Sequence, residues 1–321
     1  LVAVQIYWVS AFSFIRWKMN LVILFSGQGL QSQHHLEEVK KLAQQQGYTD
    51  LLTTALPEIY HSNFTTDQLF QNNLAQPMIF ALQYLRWQQI KTTLADPLLF
   101  SGYSLGEASA FCCSATLDFQ HALTFIQKRA ALMSLAASDQ SGLVAIQGLN
   151  TIQLTPLLEA SQTEISIKLN ECHFIVGGQQ LQLKQLMKQA EQIGAQQLKP
   201  LNVSIASHTT FMHQAAFDFA CYTTDLPNHN MQVPIVSTSA GQKYDRANQA
   251  YPILAQQIDH PLDWSICMQT ISEYQPDVIL EIGPGNALTK MISEIIPNAA
   301  CRAYDDFKQI DGLLSWLSRH N

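Results

Sequence analysis

The sequence predicts an α/β protein built on a largely parallel sheet, with a smaller α/β unit set into it. Two patterns carry that expectation. From Leu21 onward, short apolar runs alternate with amphipathic stretches, which is the rhythm of parallel strands and the helices that cover them. Between Gly142 and Leu201 the rhythm changes to strand, helix, strand, strand, helix, strand, the βαββαβ order of a split-βαβ or ferredoxin-like unit.

The elements follow in order. LVILF (21–25) reads as a buried strand ending at Gly27, because it is apolar at every position. Helical stretches follow at 34–46 and 75–93, then the strand PLLFSGY (97–103), a helix opening at Leu105 and a long helix from about Asp118 to Ala137. The inserted unit reads as strand 142–147, helix 151–160, strands 165–169 and 174–178, helix 179–193 and strand 196–203. The tail returns to the first rhythm with strand DVILEI (277–282), a Gly-Pro-Gly turn, a helix from about 287, strand 300–304 and a last helix near 310–319. With no internal repeat and no long linker, the expected division is a large domain from 19–140 and 206–321 and a small subdomain at 141–205. Residues 1–18 are expected to stand outside the core. Their charges, Arg16 and Lys18, follow the apolar run instead of preceding it as in a secretory signal, and the run is short of the ~20 residues that span a bilayer. An added helix or anchor is the other reading of this segment.

Composition excludes several function classes. Of 321 residues, 47% are hydrophobic, enough for a large core, whereas only 13% are charged, and glutamine supplies much of the polar surface. A formal net charge of −7 with no Lys/Arg cluster argues against nucleic acid or an anionic membrane as the partner. Small acidic substrates stay open, since one placed arginine can bind them. Six cysteines without CxxC spacing read as reduced thiols in a cytoplasm, not as a disulfide framework.

The strongest local signal is Gly102-Tyr103-Ser104-Leu105-Gly106, a GxSxG between a predicted strand and a predicted helix. Glycines at both ends permit the sharp turn that lifts a serine hydroxyl over the sheet edge, and the helix aims its first amides at the same point. The N–H of Leu105 is then a natural oxyanion donor. A serine needs a base to take its proton. His34, His35, His121, His213 and His320 lie in amphipathic or terminal stretches and are expected to be solvated, whereas His208, in a loop after a subdomain strand, can face a cleft. An acidic third member would have to come from Asp118 or Asp139, neither at a strand end, so a dyad whose histidine is held by a backbone carbonyl is the expectation.

FSGQGLQ (25–31), LAQP (74–77), GYSLGE (102–107), KRAALM (128–133), NVSIASH (202–208) and EIGPGNALTKM (281–291) resemble, in order and spacing, the malonyl-CoA:acyl carrier protein acyltransferases. The resemblance implies an α/β-hydrolase-like large domain with an inserted ferredoxin-like subdomain. It makes Ser104 the nucleophile, His208 the base and the amides of Gln28 and Leu105 the oxyanion hole. Arg129 becomes the clamp for the malonyl carboxylate, where a planar fork suits a carboxylate better than an ammonium does. Gln257, in QQIDHPLDW, matches the position whose main-chain carbonyl orients the histidine.

Three positions depart from the family pattern. Tyr103 stands where the family has histidine and is placed beside the acyl group, Ser26 replaces a proline, and Asn170-Glu171-Cys172-His173-Phe174 replaces NxPxQ. Tyr103, the RAALM stretch and HFIVGG (173–178) are most similar to the branch that serves bacterial malonate decarboxylase; an enzyme of fatty acid synthesis is the runner-up. The implied substrates are malonyl-CoA and the phosphopantetheine-type arm of an acyl carrier protein, with no metal or tightly bound cofactor. Other malonate decarboxylase subunits are further implied partners. A serine thioesterase or esterase would share Ser104 and His208 but hand the acyl group to water, and a catalytically idle docking subunit is the reading that the set Gln28, Ser104, Arg129 and His208 opposes.

Overall fold

The computed structural model describes residues 19–320 other than 62–64, 95, 139 and 240. Residues 1–18 and Asp139 therefore lie outside the described residues. The strands are β1 (Leu21–Phe25), β2 (Leu99–Gly102), β3 (Ser141–Gln147), β4 (Glu164–Asn170), β5 (His173–Gln179), β6 (Gln197–Pro200), β7 (Asn230–Val236), β8 (Lys243–Arg246), β9 (Leu262–Asp263), β10 (Val278–Ile282) and β11 (Ala300–Ala303).

The large sheet has the order β11-β10-β1-β2-β7-β8 and is parallel except for the β7–β8 pair. Its central strand explains why LVILF is apolar throughout. Leu21, Ile23 and Phe25 join the core under the helices of one face, whereas Val22 and Leu24 join a second cluster on the other face. The chain leaves β1 toward β2 on one side, and β10 and β11 occupy the other, so the loops after β10, β1 and β2 meet at the switch point, where open α/β sheets bind ligands.

The small sheet has the order β6-β3-β5-β4-β9. Its first four members are the βαββαβ unit in ferredoxin-like arrangement, antiparallel throughout, with helices Thr151–Ser161 and Gln180–Gln192 on one face. Val144, Ile146, Phe174 and Val176 pack beneath those helices. Leu143, Ile167 and Ile175 point the other way and share a cluster with Val22, Leu24 and Val236 of the large sheet. Both faces of the small sheet are thus covered, and β9, contributed by the chain after residue 257, adds a parallel strand against β4.

Two expectations change. The strand expected at 196–203 ends at Pro200, because Leu201 makes one last bond to Leu143 and the chain then crosses toward the large sheet, with Leu201 and Val203 packed in the shared cluster. His35, expected to be solvated, is buried between Asp305 (Nε2 to Oδ2, 2.8 Å) and Ser32 (Nδ1 to Oγ, 2.9 Å). His34, His121, His213 and His320 are exposed. No helix among the described residues is long and apolar enough to cross a membrane.

Candidate active site

Ser104 sits between β2 and the helix Leu105–Ser114 with φ 57° and ψ −112°, a left-handed conformation that a non-glycine residue holds only under constraint. The constraint is the packing of its neighbours. A Cβ on Gly102 would come within 2.1 Å of the Gly106 backbone, and one on Gly106 within 1.9 Å of the Phe25 carbonyl oxygen. Only glycine lets the first helical turn sit this close to β1 and β2, and the turn in between throws Ser104 outward.

The serine Oγ lies 2.7 Å from His208 Nε2. His208, itself at φ 62°, is held from several sides. Its backbone N–H donates to the Ile258 carbonyl at 2.8 Å, and its Nδ1 donates to the Gln257 carbonyl at 2.5 Å. These two carbonyls follow directly on the helix Ala247–Gln256, Gln257 being its C-cap, so no intrahelical donor competes for them. From the small sheet, Ser166 Oγ donates to the Ser207 carbonyl at 2.8 Å and Glu164 accepts from the Thr210 N–H at 2.8 Å. With Nδ1 committed as a donor, Nε2 presents its lone pair to Ser104. Burial lowers the His208 pKa to about 3; the Gln257 carbonyl raises it and the nearby Arg129 charge lowers it further. The ring is therefore neutral, the form a base requires.

The N–H of Leu105 opens its helix, and the N–H of Gln28 lies in the loop after β1. Neither has an acceptor among the described residues. That loop rests on the elbow, since Tyr103 N–H donates to Phe25 O at 2.9 Å and a Cβ on Gly27 would lie 2.8 Å from the Tyr103 carbonyl oxygen. The Tyr103 ring meets Trp264 edge-on at 5.5 Å, and burial pushes its hydroxyl pKa up.

Arg129, on the helix Phe119–Ala136, is completely buried. Its Nη1 donates to Gln76 Oε1 at 2.7 Å and its Nη2 to Gln257 Oε1 at 3.2 Å, and Nε has no partner among the described residues. Gln76 is held in turn by Asn72, which accepts from Gln76 Nε2 at 2.7 Å and from Gln28 Nε2 at 3.3 Å. The contrast with Arg86 is informative. Arg86 is as deeply buried but pairs with Glu38 and Asp305, whereas no carboxylate among the described residues pairs directly with Arg129. Burial pulls the Arg129 pKa down to about 10, still charged at neutral pH.

Ser104, His208, Gln257 and Arg129 are thus linked by hydrogen bonds, with Gln28 joined to Arg129 through Asn72 and Gln76. Sequence reasoning gave no role to Gln76, Glu107, Thr238 or Tyr244. Gln76 and Glu107 were visible as the glutamine of LAQP and the last residue of GYSLGE; Thr238 and Tyr244 carry no local signal.

The acyl transferase domain family model matches residues 23–303, which span both sheets and every residue of this site. The chain belongs to the acyl transferase domain family. Among its relatives in that family is a polyketide-biosynthesis malonyl CoA-acyl carrier protein transacylase of Bacillus velezensis, 26% identical over 284 residues, covering 86% of this chain and 96% of the relative. The structure is similar to malonyl-CoA:acyl carrier protein transacylase of Xanthomonas oryzae, with TM-score 0.84 and 22% identity over 93% of this chain and 98% of that one. It is also similar to a malonyl-transacylase solved in complex with its type II polyketide acyl-carrier protein, with TM-score 0.80 and 21% identity over 94% of this chain and 99% of that one. At such identities the likeness to solved structures speaks for the fold of this acyl transferase domain.

Proposed function

We propose that this acyltransferase moves a malonyl group from malonyl-CoA to the thiol of an acyl carrier protein through a malonyl-Ser104 intermediate. The observation that carries the reading is Arg129, a buried cation with no direct carboxylate partner among the described residues, joined by one glutamine to the base of a Ser-His dyad. Holding a charge this deep without a direct ion pair is costly, and the free carboxylate of a malonyl group can supply that pair.

In this reading His208 Nε2 takes the Ser104 proton as Oγ attacks the thioester carbonyl. The oxyanion forms against the N–H groups of Gln28 and Leu105, each worth about 3 kcal/mol to the transition state. Collapse breaks the C–S bond, and His208 returns the proton to the departing coenzyme A thiol. The carrier's thiol then enters, gives its proton to His208 and attacks the malonyl-serine ester, which regenerates the hydroxyl. Tyr103 is assigned to the wall of the acyl pocket.

For the acceptor, Tyr103, the RAALM stretch and the HFIVGG strand support a malonate decarboxylase carrier protein, with the other subunits of that enzyme as partners. A carrier of fatty acid or polyketide synthesis is the second reading, favoured by the names of the relatives above. Intact-mass analysis after incubation with malonyl-CoA tests the chemistry. One malonyl adduct is expected in the parent and none in Ser104→Ala; an adduct that survives the change points to a different nucleophile.

A further inference from the structure

Glu107 follows the GxSxG turn directly, in the first turn of the helix Leu105–Ser114, yet its side chain is completely buried. Its Oε2 accepts from Thr238 N–H at 2.9 Å, Thr238 Oγ at 2.6 Å and Gln257 Nε2 at 2.8 Å, and its Oε1 accepts from the Tyr244 hydroxyl at 3.1 Å. The Thr238 N–H donates to Oε2 and cannot reverse, so any proton on this carboxyl group would have to sit on Oε1 facing Tyr244, and the helix N-terminus favours negative charge at this position. The same Gln257 amide that donates to Glu107 offers its Oε1 to Arg129. A buried carboxyl group and a buried guanidinium therefore face each other across one glutamine side chain, whose orientation each of them fixes.

Building on the acyl-transfer reading, we propose that Glu107 is the resident counter-charge of Arg129, a positioning residue that acts through Gln257 and moderates the arginine's hold on the donor carboxylate. Without an acyl group, Glu107 offsets the Arg129 charge and keeps the guanidinium ionised and aligned. With malonyl bound, the site contains two negative charges around one positive charge. The carboxylate is then held but not trapped, which a two-step transferase needs if the acyl group is to move on. Burial raises the Glu107 proton affinity while the Thr238 and Tyr244 hydrogen bonds oppose it, so the Tyr244 hydroxyl helps to keep the group charged.

The test uses the full chain and the variant Glu107→Gln. The carboxamide oxygen can keep the Thr238 and Gln257 contacts while its NH₂ donates to the Tyr244 oxygen, so the change removes charge and little else. The expected result is a lower KM for malonyl-CoA and a rise on the order of tenfold in the malonyl-to-acetyl ratio of kcat/KM. Tyr244→Phe, which leaves the Oε2 contacts alone, is expected to move the ratio in the same direction by a smaller factor, and it decides the matter if Glu107→Gln does not fold. A folded Glu107→Gln with an unchanged ratio, or one shifted toward acetyl, overturns the inference; so does an unchanged ratio in Tyr244→Phe when that variant must decide. A parent protein that takes up neither acyl group sinks the acyl-transfer reading and this inference with it.

Discussion

His208 finds its Nδ1 partner in the main-chain carbonyl of Gln257, while the side chain of the same Gln257 reaches Arg129. The imidazole and the buried guanidinium are therefore held by one residue, and the ring has no negative partner among the described residues to stabilise its charged form. With a pKa of about 3 against about 6.5 for a free histidine, His208 binds no proton between those values in the folded protein. The pH profile of kcat/KM, which reports the free enzyme, should show no acid limb with a midpoint near 6.5. An inflection there that vanished on no other change than substrate saturation would contradict the neutral ring. The linkage has a sign. The unfolded chain takes up the proton first, so this histidine removes stability as pH falls from about 6.5 toward about 3 and contributes no pH dependence above that window.

Arg129→Ala separates the two effects of the arginine. Loss of a charge-assisted contact in a dry site should cost malonyl transfer about 2–5 kcal/mol, while acetyl transfer holds or improves. Because the arginine's charge also depresses the proton affinity of His208, the acid limb for acetyl transfer should move toward neutral pH. Stopped-flow acylation with both donors measures each effect; equal losses for both donors would remove Arg129 from selectivity.

Gly106→Ala should destabilise by about 3 kcal/mol or more, because the new Cβ would meet the Phe25 carbonyl at 1.9 Å and that backbone oxygen is tied to Tyr103 N–H. Gly142→Ala in β3 is the control. Its nearest neighbour would be an ordinary 3.6 Å away, and its urea midpoint should stay close to that of the parent. Similar midpoints for both variants would mean that the elbow is not as tightly packed as its geometry demands.

The choice of carrier is tested by competition. A decarboxylase carrier protein is expected to accept malonyl faster than a fatty-acid carrier protein, and a tenfold preference for the latter, about 1.4 kcal/mol in transition-state binding, would move the assignment to fatty acid synthesis.

The elements that position Ser104 were legible because they are driven by short-range rules. LVILF and DVILEI are continuous apolar runs buried on both faces, and the elbow needs its glycines wherever the rest of the chain goes. The strands β7, β8 and β9 were not, for physical reasons. Asn230–Val236 carries Pro234 and two polar residues, Lys243–Arg246 is an edge strand of mostly charged residues, and Leu262–Asp263 is too short to show a period. Arg129 on its helix reads like any surface arginine until tertiary packing encloses it, and the carboxylate that faces it arrives through a glutamine more than a hundred residues further on. Long-range polar networks leave no periodic trace in a sequence.

The pairing of β9 with β4 bears on how such a protein could be re-engineered. Ser104 belongs to the large sheet, whereas the carbonyls that hold His208 lie just ahead of Leu262, which pairs with Ile167 of the small sheet. The 2.7 Å between Ser104 Oγ and His208 Nε2 is consequently a measure of how the two sheets are aligned. A chimera that exchanged only the stretch from β3 to β6 with a homologue would import a new edge at β4 while keeping the old β9, and the imidazole would shift with any mismatch between them. A cassette that exchanges the small sheet has to carry residues 257–264 along if the Ser104–His208 contact is to be kept.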